Sequence, residues 1–176
     1  MAIIAGRKVE PFEFSDQSGK PWRFPEDFEG RKAALFFLRH LGCPLCMEKI
    51  EELKKAAPEF EDKAVRLIAL VQSTPKRALE FATQKELPFL LVPDREKKLY
   101  QAFEVARGGL KEFMAPAAAA ATIRATFKGH FHGKFEGDEL QVPASFLLSP
   151  EREVLYVHYG KNISDFGSVA ELLARA

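Results

Sequence analysis

The stretch from Ala33 to Glu48, AALFFLRHLGCPLCME, constrains the fold more than any other part of the chain. Ala33 to Leu38 is an unbroken, phenylalanine-rich apolar run, as expected of a central parallel strand covered on both faces. Gly42 marks a sharp turn after it. Pro44 suits the first turn of a helix, where its missing N–H would have had no partner, so a helix is predicted from about Cys43. Cys43 and Cys46, the chain's only cysteines, then lie three apart on one helix face, close enough to bridge.

The rest of the sequence builds around this crossover. Leu45, Ile50, Leu53 and Ala57 recur at helical spacing, and Pro58 is expected to end that helix. Ala64 to Val71 reads as a second buried strand, which makes residues 33–71 a β-α-β unit with its strands parallel. Ser73-Thr74-Pro75 opens a short amphipathic helix that stops before Pro88, and Phe89 to Val92 is a third strand. Pro93-Asp94 caps a helix with Leu99, Tyr100 and Phe103 on its buried stripe. Val142 to Leu148 and Val154 to Tyr159 form a hairpin, and Asp165 or Ser168 caps a last helix. Upstream, the alternating residues 9–14 and Trp22 to Phe24 flank turn chemistry at 16–20 and predict an N-terminal hairpin. Residues 106–141 fit none of these patterns. They are expected to be an insertion near the active face, with a helix-favouring run at Ala117 to Ala121 and a loop at His130 to Gly133.

Charge and composition exclude whole classes of function. Lys and Arg total 26 against 25 Asp and Glu, a net charge of +1 with no basic block, so no nucleic-acid partner is expected. No apolar run approaches a membrane span, and residues 1–8 lack a secretory core, so a cytoplasmic protein with no membrane partner is expected. In that compartment, two lone cysteines at C-x-x-C spacing beside a β-α-β pattern point to a catalytic or sensing dithiol.

A strand feeding a C-x-x-C helix, a later Val142-Pro143 opening a hairpin, and a closing helix resemble the thioredoxin fold. Val9 to Phe24, Phe36 to Cys46, Leu87 to Arg95 and Gly137 to Pro150 extend the likeness. Together they resemble the alkyl hydroperoxide reductase and thiol-specific antioxidant superfamily, specifically its peroxiredoxin-like branch with G-C-x-x-C. The resemblance implies one α/β domain over 1–176, with a central mixed β-sheet flanked by helices, an N-terminal β-hairpin and the 106–141 insertion before a C-terminal ββα unit. It also implies an enzyme: a thiol–disulfide oxidoreductase or thiol-dependent antioxidant that cycles Cys43 and Cys46 between dithiol and disulfide. A peroxide or a protein disulfide would be its substrate, a thiol its electron donor, and no cofactor or metal would be needed. Dimerisation is common in this fold, which makes a homodimer a candidate assembly.

Two departures bear on mechanism. Peroxiredoxins carry P-x-x-x-T-x-x-C, and with Cys46 matched to the peroxidatic cysteine the Thr position falls on Cys43 and the Pro position on Arg39. Where the family places an activating Arg, this chain has Pro143, which instead matches the cis-proline that docks thiol substrates in thioredoxins. These substitutions shift the expectation from peroxidase toward dithiol exchange, with Val142 and Pro143 beside the bound partner. A cysteine at a helix N-terminus in C-x-x-C is acidified, so Cys43 is assigned as the attacking thiolate and Cys46 as the resolving thiol. The family match also permits the reverse order. Arg39 and His40, just before the turn, are candidates to place positive charge at the sulfur and to contact substrate. Two other readings are a redox-sensing adaptor without turnover and a zinc module using Cys43, Cys46, His130 and His132. Phe37, Phe89 and Phe146 read as core; for Phe113, Phe127 and Phe131 core is also the better expectation over a substrate groove.

Overall fold

A computed structural model describes residues 2–109, 111, 114–133 and 137–176. In chain order the elements are β1 (Phe12–Ser15), β2 (Pro21–Phe24), a 3₁₀ turn (Glu26–Phe28), β3 (Lys32–Phe37), α1 (Pro44–Asp62), β4 (Val65–Val71) and α2 (Pro75–Lys85). They continue with β5 (Leu90–Pro93), α3 (Lys98–Ala102), α4 (Pro116–Phe127), β6 (Ala144–Leu148), β7 (Val154–Tyr159) and α5 (Val169–Leu173).

Five strands make one mixed sheet in the order β5-β4-β3-β6-β7. β4 runs parallel to β3 and β5, whereas β6 runs antiparallel to β3 and β7. β3 is therefore the central strand, and its side chains divide between two cores. Ala34 and Phe36 face a core shared with α1, α2, α4 and α5. Ala33, Leu35 and Phe37 face one built from the β1–β2 hairpin, the 3₁₀ turn and α3. Covering both faces of the sheet is what demands the unbroken apolar run seen in the sequence. The mixed sheet, its flanking helices and the β1–β2 hairpin match the expected α/β thioredoxin-like architecture.

Several boundaries differ from expectation. The first hairpin strand begins at Phe12, not Val9, and β6 begins at Ala144, not Val142. Pro58 does not end α1, which runs on to Asp62. Pro58 lies on the exposed side of the helix, where the backbone bond it cannot make faces water. Phe60, beyond it, is buried against Phe36 with ring centroids 6.4 Å apart, and this burial holds the last turn in place. The alanine-rich run is helical through Phe127, despite its β-branched residues, because Ala118, Ala121 and Ala125 bury a small-residue face among the α1-side core. Glu48 of α1 secures the contact by pairing with Arg124 (3.0 Å) and Lys128 (2.6 Å) of α4. As expected, a hydroxyl residue just before Pro75, Thr74, caps α2, and of the two candidates for α5 it is Ser168 that caps it.

Candidate active site

The sheet delivers the chain to the site at the C-terminal end of β3. Leu38 N–H still bonds to Leu70 C=O (2.9 Å) and Gln72 N–H to Arg39 C=O (2.9 Å), so Arg39 continues the ladder beyond the strand proper. The chain then turns over His40 to Gly42, where Cys43 N–H donates to His40 C=O (3.2 Å), and α1 begins at Pro44 with Cys43 as its N-cap. Both cysteines are free thiols and both are fully buried.

The two sulfurs meet different surroundings. Cys43 Sγ accepts from Arg39 Nη1 (3.2 Å) and from the Cys46 amide (3.4 Å). Its pKa falls to about 6, against roughly 8.5 for a free cysteine. Donation from the Cys46 thiol contributes most, the Arg39 charge and the amides of Cys46 and Leu45 add to it, and burial opposes it. Cys46 Sγ accepts from the Arg39 backbone N–H (3.3 Å), yet burial and the proton it directs at Cys43 push its pKa well up. Near neutral pH the pair therefore holds one thiolate, at Cys43, and one thiol, at Cys46. That is a nucleophile beside its own proton donor and second sulfur.

Arg39 and His40 stand where the sequence places them, and both are almost fully buried. They share a partner that sequence reasoning misses. Glu139, from the 106–141 stretch, pairs through Oε2 with Arg39 Nη2 (2.5 Å), and its backbone C=O accepts from the same nitrogen. Its Oε1 stands 2.7 Å from His40 Nε2. Glu139 thus anchors the guanidinium whose other nitrogen touches Cys43. The same stretch reaches the cysteine turn again where Gly133 N–H donates to Gly42 C=O (2.9 Å). Gly133 packs so closely that a Cβ there would stand 3.3 Å from Gly42 Cα. Tyr100 is a second unforeseen contributor. Its buried hydroxyl donates to Leu38 C=O (2.5 Å) and Leu70 C=O (2.9 Å), tying together the ends of β3 and β4 below the site.

Val142 and Pro143 lie immediately before β6. Ala144 pairs with Phe37, so Pro143 is level with the end of β3. The Val142–Pro143 peptide is trans, however, not the expected cis-proline; the cis bond among the described residues joins Phe24 to Pro25. The Pro143 C=O is committed to Gly160 N–H (2.8 Å), and its ring lies against Gly160. No described hydrogen bond joins Val142 or Pro143 to either sulfur. The proposed zinc set does not assemble either. His130 lines a cleft with Glu48, Lys128 and Asp165, and among the described residues the one cluster of metal-type donors is His40, His132 and Glu139, without the cysteines. His158 pairs with Asp165 (2.7 Å). Phe37, Phe89 and Phe146 are core, whereas Phe127 and Phe131 are 88% and 71% exposed, so the core expectation fails for them. Phe113 lies outside the described residues.

Against this geometry, the sequence model of the AhpC/TSA family matches residues 5–157, most of the chain. The chain belongs to the AhpC/TSA family. Among AhpC/TSA relatives, Peroxiredoxin-like 2C of Bos taurus is 26% identical over 167 residues, covering 90% of this chain and 73% of its own length. Peroxiredoxin Bcp of Bacillus subtilis is 26% identical over 105 residues, covering 60% of this chain and 66% of its own. Peroxidoxin BcpB from Mycobacterium tuberculosis superposes with a TM-score of 0.71 at 19% identity, over 97% of this chain and 94% of that one. Peroxiredoxin Q of Xanthomonas campestris gives 0.65 at 18% identity, over 94% and 91%. The structural likenesses establish the fold, and the family match covers the cysteine turn.

Proposed function

We propose that this AhpC/TSA-family protein is a thiol-dependent peroxide reductase in which Cys43 attacks and Cys46 resolves. The observation that carries the reading is the asymmetry of the buried pair: the Cys46 thiol, the Arg39 guanidinium and the α1 amides all favour a thiolate at Cys43, while burial favours the protonated form of Cys46. The Cys43 thiolate attacks one peroxide oxygen. An S–O bond forms, the O–O bond breaks, and the departing alkoxide or hydroxide takes a proton to leave as alcohol or water. Cys46 then attacks the Cys43 sulfenic acid, an S–S bond forms, and water departs. A small-molecule or protein thiol donor returns the disulfide to the dithiol.

Burial favours this substrate over a protein disulfide. Both sulfurs are fully enclosed, and a peroxide of a few atoms reaches such a site with far less rearrangement than a folded disulfide partner. A cytoplasmic setting accords with the cysteine usage, and no helix of the described chain is long and apolar enough to cross a membrane. The reading is tested by following hydroperoxide consumption with dithiothreitol as donor. Wild type turns over, Cys43→Ser falls to the uncatalysed background, and Cys46→Ser retains a single reaction per molecule with slowed recycling. Full turnover by Cys43→Ser would refute the assignment.

A further inference from the structure

We propose that His40, His132 and Glu139 form a binding site for one divalent first-row transition-metal ion, distinct from the dithiol. His40 Nε2 and His132 Nε2 stand 2.7 Å and 3.6 Å from the same oxygen, Glu139 Oε1. All three donor atoms lie within 4.8 Å of one another. Two imidazoles and a carboxylate suit Zn²⁺, Co²⁺ or Ni²⁺ better than Mg²⁺ or Ca²⁺, which favour all-oxygen sets. Tetrahedral bonds of about 2.0–2.1 Å set ligand atoms roughly 3.3 Å apart, so donor atoms now up to 4.8 Å apart close by at most about 1.5 Å, shared among the three side chains.

The surroundings orient two of the ligands. His132 Nδ1 is 2.8 Å from Gly133 C=O, to which it donates, so Nε2 is the ring nitrogen turned toward Glu139 Oε1. Arg39 grips Glu139 by Oε2, which fixes the carboxylate and leaves Oε1 toward the two rings. The Arg39 charge opposes a cation, and the Glu139 carboxylate with which it pairs offsets that charge. The cost falls on His40. Its Nδ1 accepts from Gly42 N–H (3.2 Å), so the neutral ring carries its proton on Nε2, and metal capture moves that proton away and gives up this long bond. The site is therefore of moderate affinity. His40 is buried, whereas His132 is exposed and leaves the ion a path from solvent and a fourth position for water. A bound ion would tie two residues of the 106–141 stretch to the turn that carries Cys43.

The test is a Co²⁺ titration of the Cys43→Ser/Cys46→Ser double variant, followed by visible absorption, with His132→Ala and Glu139→Gln each added in that background. We expect saturation at one ion per chain, with d–d bands and no thiolate-to-cobalt charge transfer, and affinity at least tenfold weaker once His132 or Glu139 is replaced. Because His132 is exposed, His132→Ala decides the matter even if Glu139→Gln fails to fold. Absence of Co²⁺ uptake by the double variant, or uptake that His132→Ala leaves unchanged, would overturn the site. No thiol chemistry is read, so either result is independent of the peroxide reaction.

Discussion

Cys43 and Cys46 sit three positions apart, yet their acidities move in opposite directions, because Cys43 collects first the Cys46 proton and then the guanidinium and the helix amides, while Cys46 meets mainly burial. The sign of the pH dependence follows. A depressed pKa means that Cys43 is ionised above about 6 and protonated below it, so its alkylation by iodoacetamide should rise with pH and level off near neutrality. A midpoint near the free-cysteine value would contradict the assigned electrostatics. Arg39→Met removes the charge and one donor, and it is expected to move the alkylation midpoint upward; a move of roughly one unit from about 6 leaves about half of Cys43 ionised at pH 7, so peroxide reduction there should slow about twofold. Much of this was legible in the sequence: the C-x-x-C spacing, Pro44 and the glycine turn place the thiols, and Arg39 and His40 precede them. Glu139 was not legible, because its partners lie 100 residues away and no periodicity links a loop carboxylate to them. Pro143 shows the opposite error, since a local likeness to the thioredoxin cis-proline did not carry the backbone isomer with it.

Among the elements, α1 and α4 depart most from sequence rules, and both are rescued by packing. α1 passes through Pro58 because Phe60 is fully buried beyond it. Phe60→Ala should cost about 3–5 kcal/mol in chemical unfolding and fray the helix after Pro58, the range expected for emptying a core phenylalanine site. Retained stability would show that the last turn is held otherwise. α4 has a poor helical composition at its C-terminal half, and its attachment to α1 combines small-residue packing with the Glu48 pairs. Arg124 first, then Lys128, holds the Glu48 carboxyl down at about 2 against its own burial. Since that folded value lies below the unfolded one, the stabilisation is complete above about 4.5 and is lost as pH falls through about 2. Glu48→Gln should accordingly lower Tm at pH 7 by an amount worth under about 1 kcal/mol, as for largely exposed pairs, and the gap to wild type should close as pH approaches 2. A gap that persists there would mean the carboxylate acts through something other than its charge. Strands were more legible than these helices, because burial on both sheet faces writes itself as a continuous apolar run, whereas tertiary contacts decide where a marginal helix stops.

At the scale of the whole molecule, the mixed sheet places the dithiol where parallel β3 ends and α1 begins, and the stretch between α3 and β6 folds back to supply Glu139 and to pack Gly133 on the cysteine turn. The AhpC/TSA family frame was legible because its segments are spread along the chain; how residues 106–141 meet the active turn was not, because those residues carry no repeating pattern. The central claim is that Cys43 is the sulfur that meets peroxide. It is tested most directly by treating the Cys46→Ser and Cys43→Ser variants with one equivalent of hydrogen peroxide in the presence of dimedone, and locating the trapped sulfenic acid by peptide mass spectrometry. The adduct is expected on Cys43 in Cys46→Ser, with wild type giving a Cys43–Cys46 disulfide instead. An adduct on Cys46 in Cys43→Ser, with none on Cys43 in the other variant, would reverse the roles of the two sulfurs.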